Sequence, residues 1–190
     1  IPGCLVDAIV VAEPEERNEA YTALTGSFEI PYKEWHTWNE KIHELSRKQR
    51  KNNIPANIIG KRAAKELRVD DIVNIGIGIP ETVSRYARKS GMLDMITLTV
   101  ESGGIGGFPV SGEAFGAMIG AASVYDMANQ FDLYDNGGLD VCFMGALEVD
   151  RHGNINAHRG TGAFAGIGGF ANITAKTPTV VFCMTFNAKG

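Results

Sequence analysis

Three glycine-rich segments, each near the end of a short apolar run, constrain the fold of this chain most strongly. They are GIGIP at 76–80, ESGGIGGFP at 101–109 and GAFAGIGGF at 162–170. Glycine lets backbone amides approach a ligand closely, and open α/β sheets bind ligands outside the carboxyl ends of their strands. We therefore expect the three loops to form one site at that edge of a sheet.

The segments around these loops alternate between strand and helix patterns. Strands are predicted in DIVNIGIGIP, MITLTV, LDVCFMGAL and TPTVVFCMTF, and helices in residues 56–67, ETVSRYARKSG and FGAMIGAASVYDMANQFDLY. Pro80 stands just before the second helix and Gly91 at its end, where these residue types are common. The alternation predicts an α/β fold with an open, mostly parallel sheet and helices on both faces.

Composition divides the chain into three parts. Residues 1–30 contain the apolar run LVDAIVVA before Glu13-Pro14 and are interpreted as the tail of a preceding α/β unit. Residues 31–53 are crowded with charged side chains and predict a connecting helix with a solvated face. Residues 54–190 are expected to form the carboxyl-terminal α/β domain, truncated at its end. Because the chain starts without methionine and stops directly after a strand-like run, we expect a fragment of a longer protein.

Charge and motif content exclude several functions. The net charge of −4 shows no basic surplus for a nucleic-acid partner, and no apolar stretch reaches the ~20 residues of a membrane helix. Cys142 and Cys183 lie in apolar runs typical of buried, reduced thiols, which favours a cytoplasmic location. His36 and His43 have no cysteine or acidic cluster at metal-ligand spacing, so no metal is predicted. The absence of Gly-Lys-Ser or Gly-Lys-Thr disfavours nucleotide triphosphate chemistry.

Glu101 is the candidate catalytic residue, because it lies between the strand end TLTV and six residues that contain four glycines. A charge at the end of a buried strand is costly unless hydrogen bonds offset it, so a functional role is favoured over a structural one. A carboxylate is ionised at neutral pH and can attack a carbonyl without a base, provided that NH groups bind the oxyanion. The glycine-rich loops supply such groups.

Other catalytic patterns are weaker. The chain has no G-x-S-x-G motif, and the two cysteines of the apolar runs lie in predicted strands, so serine or cysteine hydrolysis is unsupported. A paired-carboxylate mechanism would need a second acid. Glu113, Asp135 and Asp140 are the nearest in sequence, but positions at helix starts and turns explain them.

Several linked motifs resemble the family I coenzyme A transferases, most closely the acetate or propionate CoA-transferase branch. The resemblance covers roughly residues 54–186 in unbroken order, through VNIGIGIPETV, TVESGGIGGFP, FGAMIG, QFDLYDNGGLDVCFMGALEVDRHGNIN and GIGGFANI before TVVF. Asn136, where a glycine is expected, and the stretch HRGTGAF depart from the family pattern. Neither departure touches the E-S-G motif at Glu101.

The resemblance implies that Glu101 forms a glutamyl-CoA thioester in a ping-pong transfer of CoA between short-chain carboxylic acids. It also implies backbone NH donors from the G-x-G-x-P loop and the third loop, which we assign to Ile77, Gly78, Gly168 and Gly169. Acyl-CoA and carboxylic acids are the expected partners, with CoA as co-substrate and no metal.

The resemblance further implies that this chain is a fragment of a two-unit enzyme. The amino-terminal half would then complete the site across an interface between two similar α/β units, and a homo-oligomer is expected. Two alternatives stay open: an acyl-CoA hydrolase on the same scaffold, and a CoA-binding or oligomerisation module without catalysis.

Overall fold

The computed structural model describes residues 54–110, 115–160, 163–164 and 166–186. The predicted tail at 1–30, the predicted connecting helix at 31–53 and Glu113 lie outside these residues, so the expectations about them stay predictions. Within the described ranges, no helix is long and apolar enough to cross a membrane.

Helices and strands alternate along the described part of the chain. Its α-helices are α1 (Ile54–Ala63), α2 (Thr82–Lys89), α3 (Met127–Asp135) and α4 (Phe170–Ala175), and its 3-10 helices are Ala64–Glu66 and Met92–Met95. Its strands are β1 (Ile72–Ile75), β2 (Thr97–Thr99), β3 (Gly104–Ile105), β4 (Phe108–Pro109), β5 (Met118–Ile119), β6 (Ser123–Val124), β7 (Val141–Met144), β8 (Glu148–Val149), β9 (Ile155–Asn156), β10 (Arg159–Gly160), β11 (Ala163–Phe164) and β12 (Thr179–Phe182).

The main sheet has the strand order β12-β7-β1-β2-β3-β6. Its first four strands pair in parallel, and the edge strands β3 and β6 are antiparallel. The remaining strands form three antiparallel pairs, β4 with β5, β8 with β9 and β10 with β11. The predicted open, mostly parallel sheet is confirmed.

Helices cover both faces of the sheet, as predicted. On one face, Val73 and Ile75 of β1 pack with Leu98 of β2 against buried residues of α1 and α2. On the other face, Cys142 and Met144 of β7 pack against buried residues of α3 and α4. Successive residues of a strand point to opposite faces, so a sheet covered on both sides requires continuous apolar runs. This explains why the strand sequences show little polar alternation.

Pro80 and Gly91 bound α2 as the sequence predicts. The amides of Thr82 and Val83 donate to the carbonyls of Ile79 and Pro80, so the GIGIP loop turns directly into the helix. Gly91 ends the segment with φ of 74°, a left-handed conformation that suits glycine. The loop after β1 is therefore held by the first turn of α2.

The predicted helix over FGAMIGAASVYDMANQFDLY is wrong in its first half. Only α3 is helical there, and the preceding residues contain β5 and β6. Gly116 and Gly120 adopt φ of 98° and 63°, which a right-handed helix does not allow. Pairing of β5 with β4 and of β6 with β3 replaces helical hydrogen bonds, so the chain returns across the ESGGIGGFP loop.

Candidate active site

The carboxyl ends of the parallel strands bring the glycine-rich loops to one edge of the sheet. GIGIP follows β1, and Glu101 follows β2, its parallel neighbour. The third loop leads into α4, which connects the parallel strands β7 and β12 and so begins at the same edge. The predicted meeting of the loops therefore agrees with the topology.

Glu101 lies at the tip of a tight turn. The amide of Gly103 donates to the Val100 carbonyl at 3.0 Å, and the amide of Val100 donates to the Gly104 carbonyl at 3.0 Å. The hydroxyl of Ser102 donates to the carbonyl of Gly116, which ties the turn to the returning chain. These bonds fix the backbone on both sides of the carboxylate.

Only glycine fits at position 103 of this turn, because the surroundings leave no room for a side chain. Its φ is 113°, and a Cβ atom would lie 1.8 Å from the Tyr125 carbonyl oxygen. The amide of Tyr125 also donates to the Gly103 carbonyl at 2.9 Å. The glycine after Glu101-Ser102 is thus required by close backbone approach.

The carboxyl group of Glu101 is partly buried. Burial raises its pKa above the ordinary value, and a hydrogen bond from the Asn74 side chain acts in the opposite direction. Asn74 is 1% exposed and lies in β1, opposite Thr99 of β2. The geometry gives Glu101 a partly dehydrated setting and one side-chain donor, a setting suited to a reactive carboxylate.

A chain of buried hydrogen bonds continues beneath Glu101. The Nδ2 atom of Asn74 donates to the Tyr134 hydroxyl at 3.4 Å, which donates to Thr99 Oγ1 at 3.0 Å, which donates to the Val73 carbonyl at 3.1 Å. Tyr134 is fully buried, and burial is the main cause that raises its pKa. Asn74, Thr99 and Tyr134 were not predicted from the sequence, although a polar Asn74 inside the run DIVNIGIGIP was a visible signal.

The G-x-G-x-P loop contains a buried acid that sequence reasoning did not single out. The amide of Gly78 donates to Glu81 Oε1 at 2.6 Å, and Glu81 is 6% exposed. Gly78 has φ of 89°, so the loop turns sharply here. An oxyanion bound by the Gly78 amide would therefore share this donor with the Glu81 carboxylate or displace that carboxylate from it. The side chain of Ile77, the preceding residue, is exposed.

Gly168 and Gly169 lie where the third loop enters α4. Gly168 has φ of 54°, and a Cβ atom on Gly169 would lie 3.0 Å from the ring of Phe131. Phe131 packs edge to face on Tyr134, with ring centroids 5.8 Å apart. The third loop thus packs on α3, the helix that also supplies Tyr134 to the chain beneath Glu101.

Asp135 and Asp140 serve the structure. Asp140 Oδ2 accepts from the amide of Ile72 at 2.8 Å, at the start of β1 and so at the edge of the sheet opposite Glu101. Asp135 accepts from Asn172 of α4 at 3.0 Å. These contacts give both acids structural roles. Among the described residues, no three His, Cys, Asp or Glu side chains are grouped to hold a metal ion.

A cleft of about 440 Å³ opens at the carboxyl ends of β1, β7 and β12. Its lining contains both polar and apolar surface and comprises Ile77, Ile79, Pro80, Gly145, Ala146, Leu147, Glu148, Val149, Cys183, Met184, Thr185 and Phe186. Glu101 follows β2, the strand next to β1, so the cleft begins one strand away from the carboxylate.

Comparison with known proteins identifies the family. The family model described as Coenzyme A transferase matches residues 56–162 of the chain. The chain belongs to the coenzyme A transferase family. It is 38% identical over 191 residues to the acetate CoA-transferase YdiF of Escherichia coli K12, covering 99% of this chain and 34% of that protein. It is 38% identical over 202 residues to the caffeate CoA-transferase of Acetobacterium woodii, covering all of this chain and 36% of that protein.

Solved CoA-transferase structures share the fold. The YdiF acyl-CoA transferase of E. coli O157:H7, in a thioester complex with CoA, matches with a TM-score of 0.64 and 36% identity. The match covers 72% of this chain and 27% of that chain. The resemblance to the acetate branch is confirmed, and the chain spans about a third of the length of the curated relatives it matches.

Proposed function

We propose that the protein containing this chain transfers CoA between short-chain carboxylic acids, with Glu101 as the nucleophile. One observation carries the proposal: a partly buried carboxylate lies on a rigid turn at the carboxyl end of β2, with Asn74 as a hydrogen-bond donor. Similarity to an acetate CoA-transferase and a caffeate CoA-transferase supports the reaction class.

The proposed reaction has two half-reactions. A Glu101 oxygen attacks the thioester carbonyl of the acyl-CoA donor, the C–S bond breaks, and a mixed anhydride and CoA thiolate form. The thiolate then attacks the glutamyl carbonyl, and the donor leaves as a carboxylate. In the second half, the acceptor carboxylate attacks the glutamyl-CoA thioester, and the released thiolate takes the acyl group from the new anhydride. Glu101 is regenerated without an added proton or base.

The setting of Glu101 suits this role. A carboxylate stripped of part of its water is a stronger nucleophile, whereas complete burial without a donor would leave it protonated. Burial raises the Glu101 pKa, and the Asn74 hydrogen bond opposes that rise. Burial thus weakens the solvation of the carboxylate, while the Asn74 hydrogen bond favours its ionised form.

Each attack forms an oxyanion that needs donors. Backbone amides of Ile77, Gly78, Gly168 and Gly169 are the proposed donors, since their loops lie at the edge of the sheet that carries Glu101. The present contact of the Gly78 amide with Glu81 means that this amide would change its acceptor when substrate binds. The cleft beside β1 is the proposed position for part of the CoA or acyl chain.

Further units complete the proposed enzyme. The chain covers 34% of the length of its YdiF relative, so we propose that an amino-terminal α/β half supplies part of the pocket. A similar protein is named as subunit beta of an acetate CoA-transferase, which supports a partner unit. A cytoplasmic homo-oligomer is the proposed assembly.

The test is to trap the covalent intermediate. The complete enzyme would be incubated with acetyl-CoA without an acceptor acid, its intact mass measured, and any CoA adduct located by peptide mapping. Glu101→Gln is the reactive-site variant, and Glu66→Gln, at an exposed ion pair with Arg62, is the matched control. We expect an adduct on the Glu101 peptide of the parent and control, none in Glu101→Gln, and discharge by added carboxylate.

Other outcomes identify the alternatives. An adduct that disappears at the same rate with and without carboxylate would establish a hydrolase, because water then resolves the thioester. CoA binding without an adduct would establish a binding module and overturn the proposed nucleophile.

A further inference from the structure

The hydrogen-bonded chain beneath Glu101 has a fixed direction. Thr99 Oγ1 donates to the Val73 carbonyl at 3.1 Å, and a carbonyl can only accept. The proton of Thr99 is thereby committed, so Oγ1 accepts from the Tyr134 hydroxyl at 3.0 Å. The single proton of Tyr134 is committed in turn, so its oxygen accepts from Asn74 at 3.4 Å. One backbone carbonyl thus sets the direction of all three bonds.

This direction decides which way the Asn74 amide faces. The oxygen and nitrogen of an amide have nearly the same shape, and either could face a hydroxyl whose proton was free. Here the Tyr134 oxygen accepts, so the NH₂ group must face it. The Oδ1 atom is buried with no hydrogen-bond partner among the described residues. A buried unpaired oxygen is costly, which indicates that the NH₂ contacts hold the amide in place.

The second hydrogen of the same NH₂ group is available to Glu101. Hydrogen bonding by the Asn74 side chain lowers the pKa of the Glu101 carboxyl, and an ionised carboxylate can only accept. Register supports the arrangement, because Thr99 lies opposite Asn74 and Glu101 follows Thr99 by two residues. The NH₂ group therefore lies between the Tyr134 oxygen and the carboxylate.

We propose that Tyr134 is a positioning residue whose hydroxyl holds the Asn74 amide with its NH₂ group toward the Glu101 carboxylate. The inference rests on the proposed role of Glu101 as nucleophile and adds a residue on a helix outside the glycine-rich loops. Without the hydroxyl, the amide is free to turn its oxygen toward the carboxylate. That orientation would repel the ionised form of Glu101 and favour the protonated, unreactive form.

The groups around Glu101 leave it as the titrating member of this network. From α3 the facing titratable group is Tyr134, and from β7 it is Cys142, beside Asn74 in the sheet. Burial raises the pKa of both, that of Cys142 to about 12, so both are neutral at neutral pH. Asp135 of α3 is engaged by Asn172, Asp126 and Asp132 are exposed, and the buried Gln130 is uncharged.

The experiment follows the rate of CoA-adduct formation by the complete enzyme with acetyl-CoA in single turnover, from about pH 5 to pH 8. Tyr134→Phe keeps the ring and removes the hydroxyl. Tyr86→Phe on α2, at the opposite face of the sheet, is the matched control. We expect Tyr134→Phe to move the acid limb of the pH–rate profile to higher pH by about one unit. The rate at the plateau should stay near that of the parent, and the KM for acetyl-CoA should be unchanged. Tyr86→Phe should leave the limb in place.

Thr99 provides an independent pair of variants. Thr99→Val removes the group that commits the Tyr134 proton, and Thr99→Ser retains it. We expect the valine variant to show the upward shift and the serine variant to restore the parental limb. If thermal unfolding shows that Tyr134→Phe does not fold, this pair of variants tests the positioning role of the Tyr134 hydroxyl.

The outcomes separate the two proposals. If the parent enzyme forms no adduct on Glu101, the proposed function fails, and the positioning role fails with it. If the parent forms the adduct but the acid limb of a folded Tyr134→Phe coincides with that of Tyr86→Phe, the positioning role alone is overturned. An equal shift in Thr99→Val and Thr99→Ser would also overturn it.

Discussion

Asn74 lies directly opposite Thr99 in the neighbouring parallel strand, and both side chains reach the Tyr134 hydroxyl from the same face of the sheet. This pair joins the proposed nucleophile to the buried layer between the sheet and α3. The environment of Glu101 therefore depends on residues of two strands and one helix.

Replacing Asn74 by aspartate should impair Glu101 more than it impairs folding. Aspartate has nearly the same shape but cannot donate when ionised, and its charge would raise the Glu101 pKa further. We expect adduct formation near neutral pH to fall by about tenfold or more, with the acid limb moved to higher pH. The pH dependence of single-turnover adduct formation is the measurement.

Asn129→Asp is the matched control, since Asn129 is exposed on α3. An Asn74→Asp profile that coincides with the control profile would contradict a role for the amide. A uniform fall in the rate of adduct formation at all pH values would likewise contradict the prediction that Asn74 controls the ionisation of Glu101.

Glu101→Gln should stabilise the protein near neutral pH. The folded pKa of Glu101 is raised above 4.5, so the folded state holds this proton more tightly than the unfolded chain does. The group's contribution is thus most favourable below pH 4.5 and is lost as the pH rises through the folded pKa. We expect Glu101→Gln to have a higher Tm than the parent at neutral pH and no such gain below pH 4.5. A lower Tm at neutral pH would contradict the burial argument.

Gly103→Ala should disrupt the turn that holds Glu101. Its φ of 113° disfavours a side chain, and the new Cβ would lie 1.8 Å from a backbone oxygen. A left-handed residue costs about 1–2 kcal/mol and overpacking about 1–3 kcal/mol, so the free energy of unfolding should fall by about 2–5 kcal/mol. Urea unfolding measures it.

Gly91→Ala separates the two causes of this loss. Gly91 has φ of 74°, and no atom of the described residues lies within 4 Å of the added Cβ, so the backbone cost is the expected loss. We expect a loss of about 1–2 kcal/mol there. Equal losses at the two glycines would show that the contact with Tyr125 has no effect.

Cys142 and Cys183 should resist alkylation in the folded protein. Burial raises the pKa of Cys142 to about 12 and that of Cys183 to about 11, so neither is an accessible thiolate at neutral pH. We expect iodoacetamide to leave both peptides unlabelled until urea unfolds the chain. Peptide mapping checks this, and labelling before unfolding would contradict the packing around β7 and β12.

The 190-residue chain alone should have little or no transferase activity. It covers about a third of the length of its curated relatives, and the missing half is proposed to complete the pocket. Turnover of acetyl-CoA with acetate would be compared between the chain and the complete enzyme, with circular dichroism to verify folding. Comparable rates would show that this chain contains the whole site.

Several features followed from local sequence alone. Runs of buried β-branched residues determine strands, Gly91 stops α2, and a carboxylate between an apolar strand and four glycines singles out Glu101. These signals are local because backbone conformation and burial depend on neighbouring residue types. The order of the motifs along the chain also indicated the family.

Tertiary structure decided the rest. The residues before α3 pair as strands, because positive φ at Gly116 and hydrogen bonds to β3 and β4 outweigh a helical pattern. Tyr134 is 60 residues from Asn74 and 35 from Thr99, so no local pattern could join them. The sequence determined which group is charged at the end of β2, and only the packing of α3 on the sheet determined which groups hold and tune that charge.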